Sequence, residues 1–549
     1  MQRKYLIISF YFLISVVSAQ DFTRQDSLRG KLTSLRTCYD VTFYELFIII
    51  DEKDKSIDSS YNIIHFTVKS NFKILQIDLA YNMEIQKIEF EDVQLDFERD
   101  FDAVYIYFPR QINVNEKHKI KIYYNGKPRE AVNPPWDGGF SWKEDVNKNT
   151  WITVSCQGLG ASIWWPCKDH QSDEPDSMSI TCVARYPLKI LSNGNIRKDT
   201  SEWNQSLNAM VNKTEWFVSY PINNYNVSLY IGDYSHFSDI YISEADTLLL
   251  DYYVLSDNVI KAQSHFKQVK PMLSCFESYF GKYPFWKDGY AIIETPYLGM
   301  EHQSAIAYGN NFLPGYYGNI GYIDSLNFDF IIVHESGHEW WGNSITTNDI
   351  ADMWVHEGFC TYSEALYVEC LYGYQAMLSY VNNQKNHVRN DRPILGAYHV
   401  NHQGSTDMYS KGSLMLHTLR TVINNDSIWF SIIKGLNTNY KNQTIDGETV
   451  IKYINQNTFR DFSMFFIQYL QYKDIPKFQY KFEKQGKHQT LLYRWDAIDG
   501  FDMPLLINTG LEDFWIHPQT VWKEIDLGVF DPINFIIRDD LFFIDIKKM

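Results

Sequence analysis

Through the first part of the chain, apolar and polar residues alternate one by one. Lys119-Ile120-Lys121-Ile122-Tyr123-Tyr124 shows the pattern and runs into Asn125-Gly126, and Ile63–Val68 and Ala103–Phe108 repeat it. Successive strand side chains point to opposite faces, so the alternation predicts strands buried on one side. Asn-Gly predicts the turn between two of them. Asn223–Tyr234 reads as the closing strand region, and residues 20–240 are expected to form an N-terminal β domain.

From about residue 257 the spacing lengthens to that of helices. Asn258–Phe280 predicts a helix ended near Gly281, residues 289–309 return to strand character around Glu301, and Phe328–Trp341, Trp354–Leu371 and Lys411–Ile423 read as further helices. After Pro476 the alternation resumes in Phe478-Gln479-Tyr480-Lys481-Phe482, with turns at Asp499-Gly500 and Thr509-Gly510 and a last strand in Leu541–Ile546. A multidomain α+β chain follows. Its expected spans are 20–240, a helix-rich 241–473 and a small C-terminal β-sandwich over 474–549.

At 549 residues the chain is too long for one hydrophobic core, in keeping with several domains. Hydrophobic residues at 45% and charged residues at 21% exclude a disordered chain. Against 67 Asp and Glu stand only 50 Lys and Arg, a formal charge of −17. Such a balance repels phosphate and excludes nucleic acid as a partner, while suiting cationic ligands such as peptide amino termini. Residues 1–19 read as a signal peptide: Arg3 and Lys4, then the apolar run Tyr5–Val17, then Val17-Ser18-Ala19 before Gln20. The run is short for a bilayer span, and no later stretch predicts a transmembrane helix. The mature chain is therefore expected to be secreted or periplasmic. Seven cysteines permit disulfides in such a compartment and leave at least one unpaired.

The chemistry concentrates in Val333-His334-Glu335-Ser336-Gly337-His338-Glu339-Trp340-Trp341-Gly342. Two histidines four residues apart on a helix share a face and can converge on one ion, and neutral imidazole suits zinc. Glu335 lies about 100° round the helix from His334. That sets it beside a bound water and off the metal, the place of a general base. The third ligand separates the classes. A metzincin needs Gly at 341 and His at 344, where this chain has Trp341 and Ser344. The carboxylate alternative is Glu357, in Trp354-Val355-His356-Glu357-Gly358-Phe359 at the start of the next predicted helix. Glu364 shares its face and can accept a hydrogen bond from a ligand histidine.

This spacing, with Trp-Trp-Gly-Asn after His338 and Glu-Gly-Phe around position 357, resembles peptidase family M1, the zinc aminopeptidases that include aminopeptidase N and leukotriene hydrolase. The resemblance implies one zinc ion on His334, His338 and Glu357. It also implies a saddle-like N-terminal sheet domain and a thermolysin-like catalytic domain. Leu298-Gly299-Met300-Glu301-His302 matches the family's Gly-x-Met-Glu-Asn strand, which implies a substrate-binding role for Gly299 and Met300 and an ammonium-binding carboxylate at Glu301; Leu298 and His302 depart from the pattern. Cys156-Gln157-Gly158 resembles the segment that supplies a second amino-group anchor, here Gln157. Tyr409-Ser410-Lys411-Gly412 matches the family's catalytic tyrosine. The family's large helical C-terminal domain has no counterpart in this sequence, so a short form with a more open cleft is expected. The expected activity is removal of the first residue from peptides with a free amino terminus. A zinc endopeptidase, an inactive peptide-binding scaffold and an epoxide hydrolase are the alternatives.

Overall fold

The computed structural model describes residues 22–319 and 326–549, apart from residues 245 and 511; the signal sequence read in 1–19 lies outside them. The fold is mixed α+β: a large N-terminal sheet domain, a helical middle and C-terminal sheets.

The N-terminal part is built on an eight-stranded sheet with Tyr39–Asp51 and Ser56–Val68 near its centre. Tyr39–Asp51 pairs antiparallel with Ser56–Val68 and parallel with Ser177–Arg185. Ile64, Phe66 and Val68 turn inward while Ile63, His65 and Thr67 are only half-buried, so the alternation of the sequence becomes one buried face. The expected Lys119–Tyr124 strand is Lys117–Gly126. Asn223–Tyr234 contributes less strand than its pattern suggests. It holds a short 3₁₀ turn at Asn224–Asn226 and only Tyr230–Gly232 in the four-stranded second sheet. The reason is polar: Asn224 and Asn226 are buried and spend their side chains on other segments, Asn226 Nδ2 donating to Asn343 at 2.8 Å.

From Tyr234 a hairpin opens a five-stranded sheet with strand order Tyr234–Ser243, Asp246–Leu255, Tyr290–Glu294, Ile306–Tyr308 and Gly299–Met300. Gly299–Met300 is therefore an edge. It runs against the helix Phe330–Gly337 so closely that a Cβ at Gly299 would stand 2.6 Å from Glu335 Oε1 and 2.7 Å from Ile331 Cγ2. Only glycine permits that approach.

The Phe330–Gly337 helix is shorter than the predicted Phe328–Trp341. Asp329 caps it by accepting from the Ile331 N–H at 2.9 Å, and beyond Gly337 the chain turns to put Trp340 and Trp341 into the core. The next helix, Trp354–Tyr372, is buried from Trp354 through Val368. A helix apolar or neutralised on every side belongs at the centre of a domain, and this one packs against Phe330–Gly337, Tyr374–Gln384 and Ser410–Ile423. A disulfide, Cys275–Cys370, ties its end to the helix Val269–Phe280, and the other five cysteines are free and buried. Two small C-terminal sheets, of four and three strands, share one continuous core with the helices through Trp495, Leu505 and Phe542.

Phe276 is fully buried against Phe280, Trp340 and Tyr367. Phe276→Ala is expected to destabilise the helical part by about 3–5 kcal/mol, read as a lower urea midpoint at unchanged m value.

Candidate active site

His334 and His338 sit one turn apart, the first inside the Phe330–Gly337 helix and the second at its C-cap. Their Nε2 atoms are 3.2 Å apart. Glu357, in the first turn of Trp354–Tyr372, brings Oε2 to 3.4 Å from each of them. Four donors set tetrahedrally at zinc's ~2.0–2.1 Å would be separated by ~3.4 Å, so the triangle has the dimensions of one face of such a site. Each histidine also has its other nitrogen spoken for. His334 Nδ1 faces the Glu364 carboxylate at 2.8 Å, and His338 Nδ1 faces the Trp341 carbonyl at 3.0 Å. Both partners are acceptors, so both Nδ1 atoms carry the proton and both Nε2 lone pairs point into the triangle. Glu364 is held in turn by the Tyr380 hydroxyl.

Glu357 Oε2 is buried with no hydrogen-bond partner, and leaving a buried carboxylate oxygen bare is costly. Burial works against the charged form, yet His338 and His334 hold the Glu357 carboxyl well below the usual range. The imidazoles respond reciprocally: burial disfavours their protonation, but the Glu357 and Glu364 carboxylates at His334, and Cys360 with the Glu301 and Glu357 carboxylates at His338, overcome it and raise both. The field that draws protons to this triangle equally draws a cation. The donor set fits a zinc-type ion.

Glu335 projects beside the triangle, its carboxylate grouped with those of Glu301 and the ring of His338 within 4.8 Å. Burial pushes its carboxyl up to about 8, with His334 and His338 opposing. Tyr409 immediately precedes the helix Ser410–Ile423, and its ring stacks on His334 at 6.0 Å between centroids. Burial and the nearby Glu357 and Glu301 carboxylates raise its phenol far above 10, which keeps it a proton donor. Two glycines fix the spacing of these groups. A Cβ on Gly412 would meet Gly358 Cα at 2.9 Å, so the helices carrying Glu357 and following Tyr409 touch backbone to backbone.

Glu301 follows the edge strand Gly299–Met300. Its Oε1 accepts from Gln157 Nε2 at 2.5 Å, and the same amide reaches Glu357 Oε1 at 3.2 Å. Gln157 comes from the turn after Thr150–Ser155 in the N-terminal part, so the site is built by two parts of the chain. The Glu301 carbonyl accepts from Asn343 of the Trp-Trp-Gly-Asn run at 2.9 Å. His302, by contrast, turns into the core and meets the Tyr230 hydroxyl at 2.6 Å.

His334, His338, Glu357, Glu335, Tyr409, Glu301 and Gln157 open onto one cleft of about 660 Å³; Glu364 and His302 do not. Leu298 lines it as well, as do Trp136 and Tyr316 at its lip and two cations, Arg389 and Arg392. Nothing in the sequence reading pointed to the last four. Trp136 is marked only by its setting in a Pro-Pro-Trp-Asp turn, and the arginines lie in a stretch without periodicity.

Residues 264–469 match the model of the peptidase family M1 domain. The chain is 24% identical over 324 residues to the Tricorn protease-interacting factor F2 of Thermoplasma acidophilum, covering 58% of this chain and 37% of that protein. It is 24% identical over 352 residues to the human endoplasmic reticulum aminopeptidase 1, covering 61% and 36%. The chain thus spans little more than a third of either relative's length. Its fold is similar to that of a mutant M1 zinc metallopeptidase from Deinococcus radiodurans, with a TM-score of 0.66 at 16% identity over 79% of this chain and 94% of that one. A two-domain M1 zinc metallopeptidase mutant bound to L-tryptophan gives 0.65 at 17% identity over the same shares.

Removing the partner of His334 tests the metal geometry directly. Glu364→Ala is expected to weaken Zn²⁺ binding about 10–100-fold, measured by competition with a chromogenic chelator. Unchanged affinity would detach Glu364 from the site.

Proposed function

We propose, from the match of residues 264–469 to the peptidase family M1 domain, that this chain is a zinc-dependent aminopeptidase that removes the first residue from peptides. The observation that carries the reading is the pairing of two features in one cleft. One is the His334–His338–Glu357 triangle, and the other is a carboxylate, Glu301, held beside it by Gln157.

One zinc ion on His334, His338 and Glu357 would polarise a peptide carbonyl and make water acidic enough to attack near neutral pH. Glu335, beside the triangle and off it, takes the proton of the attacking water and passes it to the departing amine. Its carboxyl is raised by burial and so can hold that proton between the two steps. Tyr409 donates its hydroxyl proton to the carbonyl oxygen as negative charge develops there. Glu301 and Gln157 bind the substrate's ammonium group, which fixes the cut one residue from the end. Gly299 and Met300 form a strand edge that pairs, among the described strands, only with Ile306–Tyr308, and its other side can bind an extended substrate. Zinc endopeptidase chemistry shares the triangle but has no use for Glu301. An inactive scaffold would not need Glu335 poised beside the ligands.

The secreted or periplasmic location expected from the signal sequence read in residues 1–19 is part of this proposal, and the Cys275–Cys370 disulfide supports it. Sequencing of the mature protein from its N-terminus checks this, with Gln20 expected first.

Alanyl-, leucyl- and arginyl-p-nitroanilides, compared with their N-acetylated forms with and without chelator, test the reaction. Only the free amines should be cleaved, and chelation should abolish it. Cleavage of the blocked forms would identify an endopeptidase, and cleavage of neither by zinc-loaded protein would favour the scaffold. Glu335→Gln is expected to lower kcat by about 10²–10⁴-fold with zinc content unchanged. Tyr409→Phe should cost about 10²–10³-fold in kcat with little change in KM. Substantial turnover by the first variant, or an unchanged rate in the second, would remove that residue from the mechanism.

A further inference from the structure

The charges lining the cleft divide into two sets with different fates. Four are acids, Asp137, Glu301, Glu335 and Glu357, and two are arginines, Arg389 and Arg392. Three of the acids have protein partners. Glu357 faces the two imidazoles, Glu301 takes the Gln157 amide, and Asp137 accepts from the Val132 and Asn133 N–H groups.

Neither arginine has a carboxylate within ion-pair distance among the described residues. Arg389 is exposed, and its guanidinium makes no hydrogen bond among them. Arg392 is half-buried; Nη2 donates to the Gly404 carbonyl at 3.1 Å, while Nε is buried with no partner at all. Asp391 lies between them in sequence and feels the Arg392 charge, but its carboxylate is outside ion-pair distance of both guanidiniums; it accepts from the Ser405 hydroxyl at 2.5 Å and the Arg392 backbone N–H at 2.9 Å.

These arginines are not on a loose loop. The Arg389 and Asn390 N–H groups donate to the two Asp407 oxygens at 2.9 and 2.6 Å. The Ser405 N–H donates to the Pro393 carbonyl at 2.9 Å. Asp407 belongs to the turn Thr406–Met408 that leads directly into Tyr409. The same support therefore carries the oxyanion-facing tyrosine and the two guanidiniums. Two guanidiniums fixed on one cleft without an ion-pair partner among the described residues, in a protein whose net charge is −17, suit an anionic ligand. A guanidinium fork matches a carboxylate in shape as well as charge.

We infer that Arg389 and Arg392 receive a substrate carboxylate beyond the scissile bond. The site then selects short peptides, gripped as zwitterions: ammonium at Glu301 and carboxylate at the arginines. This rests on the aminopeptidase reading for which end of the peptide lies at Glu301. The carboxylate can be the peptide's own C-terminus or an acidic side chain near it, and the chemistry of recognition is the same for both.

The test compares Leu-Gly-Gly, its C-terminal amide and Leu-Gly-Glu-amide in wild-type zinc enzyme and in Arg389→Gln and Arg392→Gln. Arg389 is exposed, so its variant keeps the test alive if Arg392→Gln fails to fold. The free acid is expected to exceed the amide about tenfold in kcat/KM, chiefly through KM, and the ratio should fall toward one in each variant. Leu-Gly-Glu-amide regaining the advantage would identify the acidic side chain as a second source, and its behaving like the plain amide would reserve the site for the C-terminus. Calorimetric binding of the same peptides to Glu335→Gln protein separates the two readings. An acid-over-amide preference that depends on the arginines, without turnover by wild type, would leave the carboxylate site standing and sink the aminopeptidase. Equal affinities for acid and amide, no binding of either, or a preference that survives both substitutions would overturn the carboxylate site.

Discussion

Two imidazole nitrogens and one carboxylate oxygen, mutually 3.2–3.4 Å apart and buried, form an arrangement that protein atoms alone do not satisfy. Much of the surrounding structure exists to hold them there. The helix bearing Glu357 has to run through the middle of the helical part, so it is buried for most of its length. The helix bearing the histidines has to stop after Gly337, so that the chain can turn and the Trp341 carbonyl can come back to His338 Nδ1. Glu364 and Tyr380 hold His334 from behind. Gly358 and Gly412 let two helix backbones touch, which no side chain would allow, and that contact sets Tyr409 over the His334 ring. A buried charged cluster contributes little to stability by itself. The hydrophobic packing around it, with Trp340, Trp341, Trp354 and Phe359 all buried, supplies the rigidity that keeps three donors from relaxing apart.

The parts of this arrangement that were legible in the sequence are those that obey a period. His334 and His338 share a face because they are four apart, and Glu357 and Glu364 do so because they are seven apart. The strand stretches Ile63–Val68, Ala103–Phe108 and Lys119–Tyr124 all lie within observed strands, since one buried face imposes a period of two. Two features hid from that logic. The histidine helix ends before its apolar run does, because Trp340 and Trp341 are buried through turns and core burial looks the same from either conformation. Asn223–Tyr234 looked like strand, but its buried asparagines serve contacts with distant segments that no local pattern records. Arg389 and Arg392 are the extreme case. Their importance lies in what they fail to pair with, and pairing across a fold has no signature in a loop sequence.

The N-terminal sheet domain brings one amide into the cleft, Gln157. It donates to Glu301 and to Glu357 at once, bridging two of the buried carboxylates. A neighbouring hydrogen bond from Asn401 to the Gly158 carbonyl at 2.9 Å joins this turn to the segment that also carries Arg389 and Arg392. The turn carrying Gln157 and the segment carrying the guanidiniums are thus joined by a hydrogen bond.

That tie bears on how a cleft of about 660 Å³ with an open mouth could choose among peptides. Shape alone discriminates weakly in so wide a space. Charge discriminates strongly when opposite poles stand at a fixed separation, because a ligand that satisfies one pole and not the other leaves buried polar groups unmet. A carboxylate pole at Glu301, held by Gln157, and a guanidinium pole at Arg389 and Arg392 would together favour a peptide that carries both charges. Selection by charge then rests on the same framework that holds the triangle together.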